Sequence, residues 1–408
     1  MLTSSMRFWF PFSIIVLLVI SFMSNDLFIP SMPQLTEYYN VSANVIQNSI
    51  AAWFFGSMSL QIILGPLSDH YGRRPILLLS GILLALASLM CAYSETITLF
   101  LTGRFFQGVA VSGIMVTAFA ALHEVYEKEE NATKMFGYVG MSTALSPLAG
   151  PLIGGYIAAF FGWKANFYSV AIFGVILIAL LYKYMPETVT QRYSRIQLKQ
   201  VIGHYKTLLA NRTFVTTVSC YGMLFFAGGA FLAVAPFIYI NLLGMPAEYI
   251  GYGMMPMFIC YMLASGLAGK LEKRFAANKI VGNSLAALSV IMVGFIFGSS
   301  HAENSAIFII SGIALYYVGL GLIGPPLNHI SLSQATTENK GSASALLTII
   351  MMLGSAIGAS AISVFYDGHL LPIAIVMAGS IFVAASAFLL YVTDKSLALQ
   401  RSEGHRYQ

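Results

Sequence analysis

The sequence predicts an all-α membrane protein of twelve transmembrane helices arranged as two six-helix bundles. Three observations carry that expectation. Hydrophobic residues make up 58% of the 408 and charged residues only 9%, with a mean hydropathy of +0.77, a balance that cannot clothe a water-soluble globule. The apolar runs are about twenty residues long, which suits helices across a bilayer and not the shorter alternating strands of a membrane barrel. Lipid also obliges every backbone N–H and C=O to find an internal partner, which a helix supplies within its own segment.

Taken in order, the expected spans are 8–30, 45–66, 76–94, 97–122, 135–160, 164–185, 213–240, 248–269, 280–299, 304–328, 341–365 and 370–392. The first follows Arg7 as a signal peptide would, but it is too long, lacks a small-residue cleavage pattern and contains Asp26, so it is expected to persist as a helix. The polar stretch 186–212 divides the spans six and six. The expected organisation is therefore an N-terminal bundle (1–185), a cytoplasmic linker (186–212), a C-terminal bundle (213–392) and a cytoplasmic tail (393–408). With both termini in the cytoplasm, all of the 21 Lys and Arg except Lys164 and Arg104 fall in cytoplasmic segments, as the bias of inner loops toward basic residues requires. The net charge of +5 then reports topology and implies no nucleic-acid partner. Cys91, Cys220 and Cys260 lie on different spans without metal-ligand spacing or a disulfide partner, and read as apolar filling; no metal or cofactor is expected.

The loop after the second span is GPLSDHYGRRP (65–75). It resembles the loop 2–3 motif of the major facilitator superfamily, G-x-L-x-D-x-x-G-R-R, through Gly65, Leu67, Asp69, Gly72, Arg73 and Arg74. Gly65 is expected to let helices approach, Asp69 to cap a neighbouring helix N-terminus or pair with an arginine, and Gly72 to permit a tight turn. The resemblance implies a conformational latch released during turnover. A fainter echo follows the eighth span, GLAGKLEKRFA (266–276), with Lys270 in the place of Asp69. On the fifth span, SPLAGPLIGG (146–155) resembles the antiporter motif G-x-x-x-G-P-x-x-G-G through Gly150, Pro151, Gly154 and Gly155, with Ser146 replacing the first Gly. That motif implies export and a seal against proton leak. Its small residues and Pro151 also predict a bent, closely packed helix, and packing alone is the plainer reading.

Of the 16 acids only Asp26 lies well inside a span, and of the 21 bases only Arg104. Ionisable groups are costly there, which makes each a candidate functional residue. At 1.5 Å per residue both sit roughly 6–10 Å below the expected outer boundary, so they are expected to meet. Asp26 is read as the site where a proton and a substrate cation compete, with burial and the nearby arginine acting on its charge in opposite senses; a permanent structural ion pair is the alternative. NDLFIPSMPQL (25–35) and GRFFQG (103–108) resemble the corresponding helices of bacterial drug:proton antiporters, the Bcr/CflA and MdfA-like group, and the likeness covers nearly the whole chain. It implies that Asn25 and Asp26 line a substrate cavity, that Arg104 tunes the acid with Gln107 and Gly108 in support, and that Phe22 is an apolar wall. Glu124 matches an acidic position of the same group and is assigned to proton coupling as an inner way-station; the alternative is an interfacial acid beside the charged EVYEKEEN loop. One departure is Leu18, where those antiporters carry a further acid.

Tyr221 and Phe225 are assigned to substrate binding, and Phe226, Met254, Met255, Tyr316 and Tyr317 are further adaptable apolar walls, with core packing as the alternative for each. Gly324-Pro325-Pro326 is expected to bend its helix, as part of a gate. No nucleophile elbow, zinc-ligand set, paired catalytic carboxylates or phosphate loop points to an enzyme. The resemblance implies a monomeric, proton-coupled secondary transporter of the bacterial inner membrane, exporting small, largely lipophilic compounds by alternating access. Export of one metabolite, such as a siderophore or sugar, is the alternative.

Overall fold

The computed structural model describes residues 4–126, 132–189, 198–301, 305–336 and 339–404, and those residues form helices and short connections without a strand among them. Lys128, Arg192, Arg195 and Arg406, used above for orientation, lie outside the described residues. The helices are α1 Ser4–Asp26, α2 Met32–Tyr39, α3 Ala43–Ser59, α4 Gln61–Tyr71, α5 Arg73–Ala92, α6 Ile97–Tyr126, α7 Ala132–Phe161, α8 Trp163–Tyr184, α9 Leu198–Ala210, α10 Arg212–Phe237, α11 Ile250–Leu271, α12 Ala277–Ser299, α13 Ala306–Leu332, α14 Lys340–Phe365 and α15 Leu371–Gly404. Among the described residues, 10 helical stretches are long and apolar enough to cross a membrane, and α3 with α4, bent by 44°, makes an eleventh. The 30-residue α7 adds the apolar stretch Leu145–Phe161.

Several boundaries differ from expectation for identifiable reasons. The first span does not end at Pro30. Its helix stops at Asp26, passes through the single turn Ile29–Ser31 and resumes as α2, and the apolar stretch reaches Tyr39. Pro30 and Pro33 lack the amide hydrogen that an unbroken helix needs, so they break the span without ending it. The second span kinks at Leu60, and its helix continues through the motif to Tyr71. The last helix runs on to Gly404, well into the stretch read as a tail. Conversely, α7 is one helix through both Pro147 and Pro151.

The chain divides into two compact units, Met1–Leu198 with Leu232–Met255, and Lys199–Phe231 with Pro256–Gln408. Within the first, side-chain-free positions bring backbones together. A Cβ on Gly56 would fall 2.9 Å from the carbonyl carbon of Phe105, and one on Gly108 2.7 Å from the amide nitrogen of Ser57, so α3 and α6 touch along their backbones. Gly65, expected to serve such an approach, does not: a Cβ there would meet only Val116 at 4.0 Å. The kink at Leu60 lies between the close contact at Gly56 and the motif.

Candidate functional site

The helix break after Asp26 builds the site. Asn25 and Asp26 are the last residues of α1, and both are buried. The carbonyls of a last helical turn have no partner within the helix, and here Ser24 O accepts from Arg104 Nη1 at 2.9 Å. Arg104 is fully buried on α6. Its remaining contacts are Nη1 to Gln107 Oε1 at 2.7 Å, Nη2 to Asn25 Oδ1 at 2.6 Å, and the face of Phe28, whose ring centre lies 4.4 Å from the guanidinium carbon. Its Nε has no partner. Gln107 is itself anchored, its Nε2 donating to Ser88 Oγ at 2.8 Å, and Trp53 Nε1 donates to Ser24 Oγ at 3.2 Å. Cys91 is buried here as well and contacts Gln107 Oε1 at 4.0 Å, so it belongs to the support of the arginine.

Asp26 and Arg104 lie in one cluster without direct contact. Asn25 stands between them, donating from Nδ2 to Asp26 Oδ1 at 3.4 Å while its Oδ1 receives the arginine. The other carboxylate oxygen of Asp26 accepts from Ser146 Oγ at 2.9 Å. Ser146 therefore does more than replace a glycine of the antiporter motif; it ties the motif to the acid. The motif glycines fit the break itself. A Cβ on Gly150 would strike the Asp26 Cβ, and one on Gly154 would lie 2.7 Å from Leu27 Cα. Asn166 holds the segment just after the break, its Nδ2 donating to Ser31 Oγ at 2.8 Å and Gly154 O at 3.1 Å. Further along α7, Gly155 lies against Ala247 and Leu152 against Gly251, all within the first unit. Phe22 is half-buried one turn before Asp26, Pro151 is buried, and Leu18 is fully buried.

The loop motif is assembled as a second cluster. Gly72 alone separates α4 from α5, at φ 107° and ψ 155°, a region open essentially to glycine. Arg73, the first residue of α5, reaches back to Asp69 Oδ1 at 2.5 Å and to Ser68, and binds Glu124 Oε1 through Nε at 3.1 Å and Nη2 at 2.8 Å. Asp69 thus pairs with an arginine and caps no helix. The cap comes from Glu187, whose Oε1 accepts from Arg73 N at 2.9 Å, and Thr188 donates to Glu124 Oε2 at 2.5 Å. Arg74 donates to Tyr182 O at 2.5 Å and lies over the Tyr182 ring. Glu124 is bound in this cluster, 20 residues along α6 from Arg104, or about 30 Å of helix. Glu187 and Thr188 were missed in the sequence. The signal was there: Gly72 offers no side chain to cap α5, so an outside acceptor was needed, and MPETV supplies one just after the sixth span.

In the second unit Tyr221 is buried and Phe225 half-buried, with ring centres 5.3 Å apart at 74°. Gly324 faces the Tyr221 hydroxyl, which would lie 3.4 Å from a Cβ there. Tyr316 donates to Leu224 O.

Comparison with known proteins agrees with this architecture. The chain is 25% identical over 398 residues to the multidrug resistance protein MdtM of Escherichia coli O157:H7, covering 97% of each. It is 28% identical over 358 residues to the multidrug transporter MdfA of Edwardsiella ictaluri, covering 86% of this chain and 85% of the relative. Among solved structures, the partially occluded inward-open xylose transporter XylE from E. coli superposes with a TM-score of 0.73 at 14% identity, covering 95% of this chain and 98% of that one. An inward-facing bacterial homologue of the human lysosomal transporter Spinster gives 0.73, also at 14% identity, with coverage of 95% and 97%. Those two likenesses establish the fold. The sequence model of the Major Facilitator Superfamily matches residues 14–359, and the chain belongs to that superfamily.

Proposed function

We propose that the chain exchanges protons for small, largely lipophilic compounds and exports them across the bacterial inner membrane, with Asp26 as the coupling acid. The observation that carries this reading is the cluster Asp26–Asn25–Arg104–Ser146. It holds the buried carboxylate by neutral donors, with its cation one amide away. A carboxylate so held can lose its charge to a proton without breaking an ion pair. Among the described residues, the buried charged side chains are Asp26, Arg73 and Arg104, and only Asp26 is an acid.

In this reading Phe22, Asn25 and Asp26 from the first bundle and Tyr221 and Phe225 from the second bind substrate. The bundles are residues 1–185 and 213–392, joined by 186–212, with both termini cytoplasmic and a monomer as the working form. Asp69, Gly72, Arg73 and Arg74 form the latch with Glu124 as its acceptor, and Glu124 acts there in conformational control instead of as the inner proton way-station of the sequence reading. Gly150, Pro151, Gly154 and Gly155 fit α7 to the break beside Asp26 and limit proton leak. The names of the relatives support multidrug export over export of a single metabolite. A panel of lipophilic dyes and drugs in everted vesicles, with proton movement recorded alongside, tests the reading. Asp26→Asn is expected to abolish proton-coupled uptake at normal expression, and undiminished coupled uptake by that variant overturns the assignment.

A further inference from the structure

The connection between the two halves contains α9, and neither the coupling site nor the latch uses it. From Leu198 to Ala210 it is a helix of 13 residues, about 20 Å long, separated by Asn211 alone from α10, which opens the apolar stretch Arg212–Leu242. Asn211 joins the two helices: its N–H donates to Leu208 O at 3.1 Å and its Oδ1 accepts from Phe214 N at 3.2 Å. The C-terminal end of α9 therefore adjoins the start of a candidate membrane span.

Its two faces differ. Tyr205 and Leu208 are buried, and His204 lies 3.4 Å from Ser342 near the start of α14, so one face rests on the second unit. The other carries Ile202, Lys206 and Leu209 at the spacing of one helical stripe, with Ile202 48% and Leu209 52% exposed. Single exposed aliphatics are ordinary, but two flanking a lysine beside a membrane span match an interfacial helix, with the lysine stem lying along the apolar surface and its ammonium in the headgroups. Lys340, exposed two residues before Ser342, adds a second cation at the same edge. The sequence from Thr188 to Ala247 contains no acid, so Lys206 has no acidic neighbour within the connection itself; Glu338, two residues before Lys340, lies outside the described residues.

We propose that α9 lies in the headgroup layer and that Ile202, Lys206, Leu209 and Lys340 form a binding surface for anionic phospholipid. Apolar burial sets the depth and the lysines select the headgroup charge. The surface anchors the connection between the halves independently of which compound is carried.

The full-length protein in vesicles tests this without a transport substrate. An Ile202→Trp variant, compared with the parent to remove the signal of the native tryptophans, is expected to add emission quenched by lipids brominated near the headgroup and shielded from aqueous iodide. Retention of phosphatidylglycerol by detergent-solubilised protein, read by native mass spectrometry, is expected to weaken about fivefold for each of Lys206→Gln and Lys340→Gln, with phosphatidylcholine retention unchanged. An added indole that iodide reaches and brominated lipid does not, as on a docking face for a soluble acidic partner, overturns the proposal. So does equal retention of the two lipids by the parent protein.

Discussion

Replacing Asn25 by Leu keeps the side-chain size and removes the amide that joins the two charged groups. Arg104 Nη2 then loses its acceptor at 2.6 Å and Asp26 Oδ1 its donor at 3.4 Å, both in a buried setting. A hydrogen bond to a charged group contributes about 1.5–3 kcal/mol, and the longer contact contributes less, so the variant is expected to lose about 3 kcal/mol of stability. Arg104→Met removes the cation itself and strands Ser24 O, Gln107 Oε1 and Asn25 Oδ1, buried neutral acceptors that cost about 1–3 kcal/mol each when left unpaired. In the double variant the guanidinium is absent and Asn25 can strand nothing on it, so the combined loss should fall short of the sum by at least about 1 kcal/mol. Equilibrium unfolding in mixed micelles, followed by tryptophan fluorescence, measures all three variants. If the losses add to within about 0.5 kcal/mol, the amide does not couple these groups and the arrangement argued above is wrong.

Gly72→Ala forces a Cβ into a backbone region that glycine alone tolerates and should lower stability by about 1–3 kcal/mol, measured by thermal unfolding, while a neighbouring change such as Tyr71→Ala should not reproduce the loss. Arg73→Lys keeps the charge but cannot hold Glu124 through two nitrogens, so the transport rate should fall at nearly unchanged substrate affinity in a vesicle assay. Ser146→Ala removes a hydroxyl donor to a carboxylate and should impair coupled transport, whereas Ser146→Thr, which restores the donor, should recover most of it. Gly154→Val drives side-chain atoms into Leu27 and should reduce folded yield, scored by monodisperse protein on size exclusion.

Fold class was legible because it rests on bulk properties: the apolar fraction, the run length and the placement of lysine and arginine. The prominence of Asp26 and Arg104 was legible for a related reason, since a charge inside an apolar run stands out without any structure. Their relationship was not. An amide between an acid and an arginine is decided by rotamers at adjacent positions, and Asn25 reads in the sequence as a cavity-lining residue and not as a link between the two charges. Span one was misjudged at Pro30 because proline signals an interruption without telling whether the chain leaves the membrane or resumes its helix, as α2 does. Ser146 was legible only as a departure from a motif. Its hydrogen bond depends on Gly150 letting α7 approach the break, a contact between residues 120 or more positions apart.

The break also accounts for how Arg104 can stay charged at 0% exposure without Asp26 as a direct counter-ion. It sits at the C-terminal end of α1, where the helix dipole presents partial negative charge and Ser24 O is free to accept; a cation in that place gains about 0.3–1 kcal/mol from the dipole alone. Gln107, Asn25 and the Phe28 ring complete its surroundings. The arginine is therefore provided for whether Asp26 is charged or protonated, which is the condition a coupling acid must meet. The two residues should then differ sharply in unfolding experiments. Asp26→Asn can still accept from Ser146 and should cost less than about 1 kcal/mol, against the several expected for Arg104→Met. Equal losses would mean that the two form the permanent ion pair, and Asp26 could not then cycle its proton.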